Sequence, residues 1–212
     1  MTFKHTSLAV GFAAVFAAGA ASAQDNLVKF GVAQYTTNSR TSGITGIGVP
    51  PGADAETGDA TTVLFEYERM VTPNIGALLV LGVPPKIKAN ATGSVAFLGE
   101  VMSARNVSPT AFAMYHFGAK GDTWRPYAGL GINYTRFTDI QSTLAPKVEM
   151  SDSVGWAVTG GVEYVLNERW SLNASATALR VKSKLVATGT TVLQTTIDFR
   201  PVVYSLTAAY RF

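Results

Sequence analysis

The chain has 212 residues with 47% hydrophobic content, no cysteine, and 17 Lys+Arg against 14 Asp+Glu, a formal net charge of +3. Without thiols a disulfide framework, a thiolate metal site and a lipid-modified cysteine N-terminus are excluded. The mild charge, spread without a basic run, argues against nucleic acid as a partner.

From the N-terminus, Lys4 and His5 precede an apolar run from Leu8 to Ala20 and the small-residue triplet Ala21-Ser22-Ala23. That pattern predicts a secretory signal peptide over 1–23, cleaved to leave a domain over 24–212. The run is shorter than the roughly 20 apolar residues a spanning helix needs.

Beyond residue 24 the apolar residues recur at a period of two, the mark of half-buried strands. Strands are predicted near 26–36, 61–70, 75–83, 109–117, 124–137, 153–165, 170–181 and 195–212. Short connections fall at Val71 to Asn74, Gly118 to Thr123 and Leu166 to Arg169, and long ones at 37–60, 84–108, 138–152 and 182–194. The third strand runs into Pro84 and Pro85, neither of which can donate to a ladder. Either the strand simply ends there or the wall it belongs to has a lateral gap.

The two faces decide what kind of β protein this is. In "WSLNASATA", Trp170, Leu172, Ala174, Ala176 and Ala178 share one face, and Ser171, Asn173, Ser175 and Thr177 the other. The oily face elsewhere carries aromatics near strand ends, namely Tyr134, Trp156, Tyr164, Trp170, Tyr204, Tyr210 and Phe212. Its opposite is rich in Gly129, Gly131, Asn133 and Thr135. Aromatics bounding an apolar band, with polar and small residues behind it, are expected of a membrane barrel whose exterior faces lipid. Closure follows, because a bilayer core leaves no partner for an open strand edge. The fold expected is all-β: an eight-stranded antiparallel up-and-down transmembrane β-barrel.

Eight strands enclose room for packed side chains or one small ligand, which excludes a wide aqueous pore. In the 109–117 strand, Ala111, Ala113, Tyr115 and Phe117 would face lipid, turning Thr110, Phe112, Met114 and His116 inward. Phe112 and Met114 are the main candidates for an oily lining, the flexible thioether suiting ligands of varied shape. Leu179, Val181 and Val203 are further candidates. Glu163 and Arg211, also on the inward face, are expected to satisfy each other or meet water near the turn end. His116 is the single histidine beyond the signal segment, with no adjacent serine, so no nucleophile and base pair is apparent. No ligand spacing for a metal is present. The glycines of "GITGIG" lie in a Gly/Pro-rich loop and not between a strand and a helix, which argues against a phosphate cradle. Neither an enzyme nor a cofactor is expected.

The stretch "WRPYAGLGINYTRF" (124–137) resembles a signature of the OmpW family of outer-membrane proteins, which includes the AlkL-type alkane-uptake proteins. "TPNIGALLVLGVPPKIKA" (72–89), "SPTAFAMYHFG" (108–118), "NERWSLNAS" (167–175) and "AAYRF" (208–212) resemble it in the same order. The resemblance implies a barrel in the bacterial outer membrane, in contact with bilayer and lipopolysaccharide, that takes up small hydrophobic molecules passively and releases them through an opening in its wall. Pro84 stands where the family usually has a proline, and Pro85 departs from it, an aromatic being common there. Tyr210 and Phe212 resemble the C-terminal signal read by the outer-membrane assembly machinery. The alternative is a non-transporting barrel whose long loops 37–60 and 84–108 act as receptor or adhesion sites.

Overall fold

A computed structural model describes residues 26–37, 39–41, 49–188 and 192–212. The expected signal peptide and the "GITGIG" loop lie outside the described residues. Among the described residues the strands are, in chain order, β1 (Asn26–Thr36), β2 (Ser39–Thr41), β3 (Ala53–Thr57), β4 (Ala60–Met70), β5 (Ile75–Gly82), β6 (Lys86–Gly93), β7 (Glu100–Val107) and β8 (Thr110–His116). They continue with β9 (Trp124–Ser142), β10 (Lys147–Met150), β11 (Ser153–Val165), β12 (Trp170–Leu179), β13 (Val181–Thr188), β14 (Val192–Phe199) and β15 (Val202–Arg211).

Eight of these close into the antiparallel barrel β1-β4-β5-β8-β9-β11-β12-β15, with β15 returning to β1. Closure gives each of the eight barrel strands a partner on both sides, the condition for lying in lipid. The alternation read from the sequence sets which face is which. Leu130, Ile132, Val154 and Leu206 point outward and are 64–69% exposed, whereas Asn133 and Thr135 are wholly buried inside. Outward aromatics gather at the turn end, where Trp124 meets Tyr164 at 4.6 Å and Trp170 meets Tyr210 at 5.0 Å between ring centroids. Trp156 and Tyr204 lie toward the loop end, on the other side of the apolar band. Such amphipathic rings settle where lipid meets water.

Among the described residues, the stretches expected as long loops carry much strand. β3, β6 and β7 form one sheet on the upper part of β9, and β10, β13, β14 and β2 form a second. Two expected strands are each broken. The 170–181 stretch ends its barrel pairing at Leu179, and the chain enters the second sheet at Val181. The 195–212 stretch divides at Pro201, which has no N–H for a ladder but whose carbonyl accepts from the N–H of Leu179 at 3.1 Å. The 124–137 strand is longer than expected, running to Ser142, because β7 offers it a partner above the barrel rim.

The Gly-x-Gly of β9 has a packing cause. A Cβ at Gly131 would stand 2.5 Å from the Phe112 ring, and one at Gly129 would stand 2.4 Å from the sulfur of Met114. Two inward side chains of β8 occupy the space those glycines leave.

Candidate functional site

Halfway up the lumen is a cavity of about 40 Å³. One side is apolar, from Tyr35 (β1), Leu64 (β4), Leu78 (β5), Phe112 (β8), Leu179 (β12) and Val203 (β15). The other side carries hydroxyls that are paired among themselves: Ser175 with Ser205 at 2.7 Å, and Thr177 donating to Thr159 at 2.8 Å. Mutual pairing removes the penalty a buried hydroxyl would otherwise carry.

Of the residues expected to line a passage, the structure brings Phe112, Leu179 and Val203 to this cavity. Met114, 2% exposed, packs in the same apolar cluster but does not border the cavity. Val181 belongs to a separate cluster with Ile197 and Phe199 in the second sheet.

At Pro84 and Pro85 the wall changes partners. The β5–β8 ladder ends at Val80↔Thr110. The next main-chain bond along this seam runs from the N–H of Asn106 to Pro85 O at 3.1 Å, one residue out of register. Within the seam, 81–84 face 107–109. Even-numbered residues of β5 bond toward β8, as in the bond from the N–H of His116 to Asn74 O at 2.7 Å, so the next pair due is Gly82 with Ser108. That pair is absent from the ladder. Pro85 accepts from Asn106 and has no N–H to return the bond. Val80, Gly82, Ser108 and Thr110, which flank the seam, also border the cavity. Outside it, Leu81 and Val83 are about half exposed.

Below the cavity the lumen is closed by two layers of buried charge. In the upper layer Lys29 Nζ (β1) lies 2.8 Å from Glu68 Oε2 and 3.9 Å from Glu66 Oε2 (both β4). His116 Nε2 (β8) is 2.7 Å from Glu68 Oε1, and the Lys29 ammonium stands 5.5 Å from the centre of the Tyr127 ring, within cation–π range. In the lower layer Glu163 (β11) receives Arg125 (β9) and Arg211 (β15), each at 3.4 Å, and the Ser171 hydroxyl (β12) at 2.7 Å. Arg125 also donates to Pro73 O at 3.1 Å. Arg125, Glu68 and Glu163 are at most 1% exposed. Charges so buried persist only when paired, and these pairs fill the bore.

The Glu163–Arg211 contact was legible in the sequence, whereas the Lys29, Glu66, Glu68 and Arg125 network was not singled out. A signal existed: Lys29 shares parity with Leu27 and Ala33, and Glu66 and Glu68 share parity with Leu64. Charges on the lumen face at membrane depth must find partners. Tyr210 and Phe212 sit at the turn end, Phe212 exchanging main-chain bonds with Asn26 at 3.0 and 3.4 Å.

Comparison with known proteins places these features. The Outer membrane protein W of Vibrio cholerae is 29% identical over 151 residues, 68% of this chain and 70% of that protein. The outer membrane protein AlkL of Ectopseudomonas oleovorans is 28% identical over 168 residues, 79% of this chain and 73% of that protein. The crystal structure of OprG from Pseudomonas aeruginosa superposes with a TM-score of 0.82 at 24% identity, covering 90% of this chain and 96% of that one, a likeness of fold. The OmpW family model matches residues 22–212. An eight-stranded barrel with its apolar side turned to lipid, matched by that model through to its last residue, makes this chain a member of the OmpW family, located in the bacterial outer membrane.

Proposed function

We propose that this barrel is a passive channel for small hydrophobic molecules, which enter from the loop end and leave sideways into the bilayer between β5 and β8. The observation that carries the reading is one of position: the cavity reaches the wall where the ladder is interrupted at Val80 to Pro85, while ion pairs close the bore beneath it. A solute held by Phe112, Leu179 and Val203 meets charge below and an interrupted ladder beside it, crossed at its upper end by the bond from Arg105 Nη1 to Pro84 O at 3.3 Å. Moving apolar area out of water supplies about 25 cal/mol per Å², so a concentration gradient suffices. Assistance matters because lipopolysaccharide impedes greasy solutes at the outer leaflet. Tyr210 and Phe212 serve assembly into the membrane in this reading.

The test is the uptake rate of n-octane into vesicles with lipopolysaccharide in the outer leaflet, comparing the natural sequence with Pro84→Val/Pro85→Val and with Phe112→Asp. Valine at 85 supplies an N–H opposite Asn106 that proline cannot offer and so favours pairing across the upper end of the seam, and an aspartate at 112 places a charge in the cavity. Both variants should slow uptake at unchanged folding, judged by heat-modified migration. Unchanged rates in both would overturn the route. No uptake by the unaltered barrel would favour the receptor reading, which the exposed tip of the β6–β7 hairpin also suits, Phe97 there being 83% exposed.

A further inference from the structure

Glu66 is the only Asp, Glu, Lys or Arg among the described residues that borders the cavity. Its nearest cation, Lys29 at 3.9 Å, is held more closely by Glu68 at 2.8 Å. His116 serves the other oxygen of Glu68 and does not reach the cavity. Lys29 thus serves two carboxylates, and Glu66, whose side chain is 10% exposed, has the longer of the two contacts and borders the space above it. Of the neighbouring hydroxyls, Ser175 pairs with Ser205 and Thr177 with Thr159. A carboxylate at this depth calls for a donor, and the cavity is where one can enter.

Size narrows the chemistry. Benzene occupies an apolar cavity of ~150 Å³, so a space of about 40 Å³ refuses a ring. It accepts an unbranched head with a methylene or two, the remainder of the chain lying along Phe112, Leu179 and Val203 toward the seam. Resting on the channel reading above, we infer that the lumen is a binding site for linear primary ammonium amphiphiles, with Glu66 accepting the ammonium head. Glu66 thereby sorts cationic heads from anionic ones among slim solutes.

The experiment uses the full barrel in lipid nanodiscs at pH 7, with the ¹³C methyl resonances of Leu64, Leu78 and Val203 as reporters. The probes are n-hexylammonium, 1-hexanol and hexane-1-sulfonate, which share a chain and differ in head. The ammonium should shift the methyls saturably and the sulfonate should not. Glu66→Gln, which keeps the shape, should weaken the ammonium roughly tenfold, the scale of one charge-assisted hydrogen bond, and leave hexanol as it was. Equal shifts from all three probes, or an ammonium affinity unchanged in Glu66→Gln, would overturn the head-group role while leaving an apolar site in place. Methyls unmoved by every probe would overturn both this inference and the channel reading. Should the variant fail to assemble, the contrast between ammonium and sulfonate in the natural sequence still decides.

Discussion

Replacing Glu163 by alanine removes the carboxylate shared by Arg125 and Arg211, and the structure indicates which guanidinium suffers. The side chain of Arg211 is 13% exposed and can turn toward water at the turn end, whereas that of Arg125 is 1% exposed and keeps just its bond to Pro73 O. The Ser171 hydroxyl loses a 2.7 Å acceptor as well. Breaking a buried pair by deleting one partner costs about 3–5 kcal/mol. Both ion pairs here are long, at 3.4 Å, so the lower end applies, about 3 kcal/mol. Glu163→Gln keeps an acceptor for Ser171 and should cost about half as much. Arg211→Ala, removing the group best able to reach water, should cost less than either, about 1 kcal/mol. Urea unfolding in lipid vesicles, followed by the fluorescence of Trp124 and Trp170 at the same end of the barrel, measures all three. An alanine variant within about 0.5 kcal/mol of the natural protein, within the ordinary surface range, would refute the idea that this layer holds the bore shut. So would Arg211→Ala proving the costliest of the three.

Gly131→Ala puts a methyl 2.4 Å from the carbonyl oxygen of Ala111 and 2.5 Å from the Phe112 ring, an overpacking expected to cost about 1–3 kcal/mol and visible as a lower urea midpoint. In the second sheet, outside the membrane, the Arg200 guanidinium bonded to Asp198 at 3.0 Å holds that carboxyl below the usual aspartate value, with Arg180 and Lys182 adding to it. Since the folded value is the lowered one, the stabilisation is present above the ordinary aspartate range and disappears as pH falls through the folded value. Amide protection in β13 and β14 should therefore exceed that of Asp198→Asn near neutrality and converge with it in strong acid. Hydrogen exchange giving equal protection at both pH values would contradict this.

How much of this was written in the chain can be judged from particular segments. The alternation of "WSLNASATA" and of "YAGLGINYT" assigns each residue to lipid or lumen, because a strand offers two faces and a bilayer makes the oily one the outside. Eight such segments joined by alternately short and long connections specify an up-and-down barrel, and the inward parity of Phe112 and Met114 follows from the same count. Pro84 and Pro85 announce that pairing stops nearby.

Only the tertiary structure decided what lies across from what. That Asn106 bonds Pro85 one residue out of register, leaving Gly82 and Ser108 apart, depends on how β6 and β7 pair above the rim. The union of Lys29, Glu68 and His116 from three strands, and of Arg125 with Glu163 38 residues away, is set by barrel closure and register. The expected loops became sheets for the same reason: a weakly patterned stretch becomes strand when a neighbour presents an open edge. A period of two names the face of a side chain, but not its height or its partner, and in this barrel height and partner place the cavity, its floor and the seam in its wall.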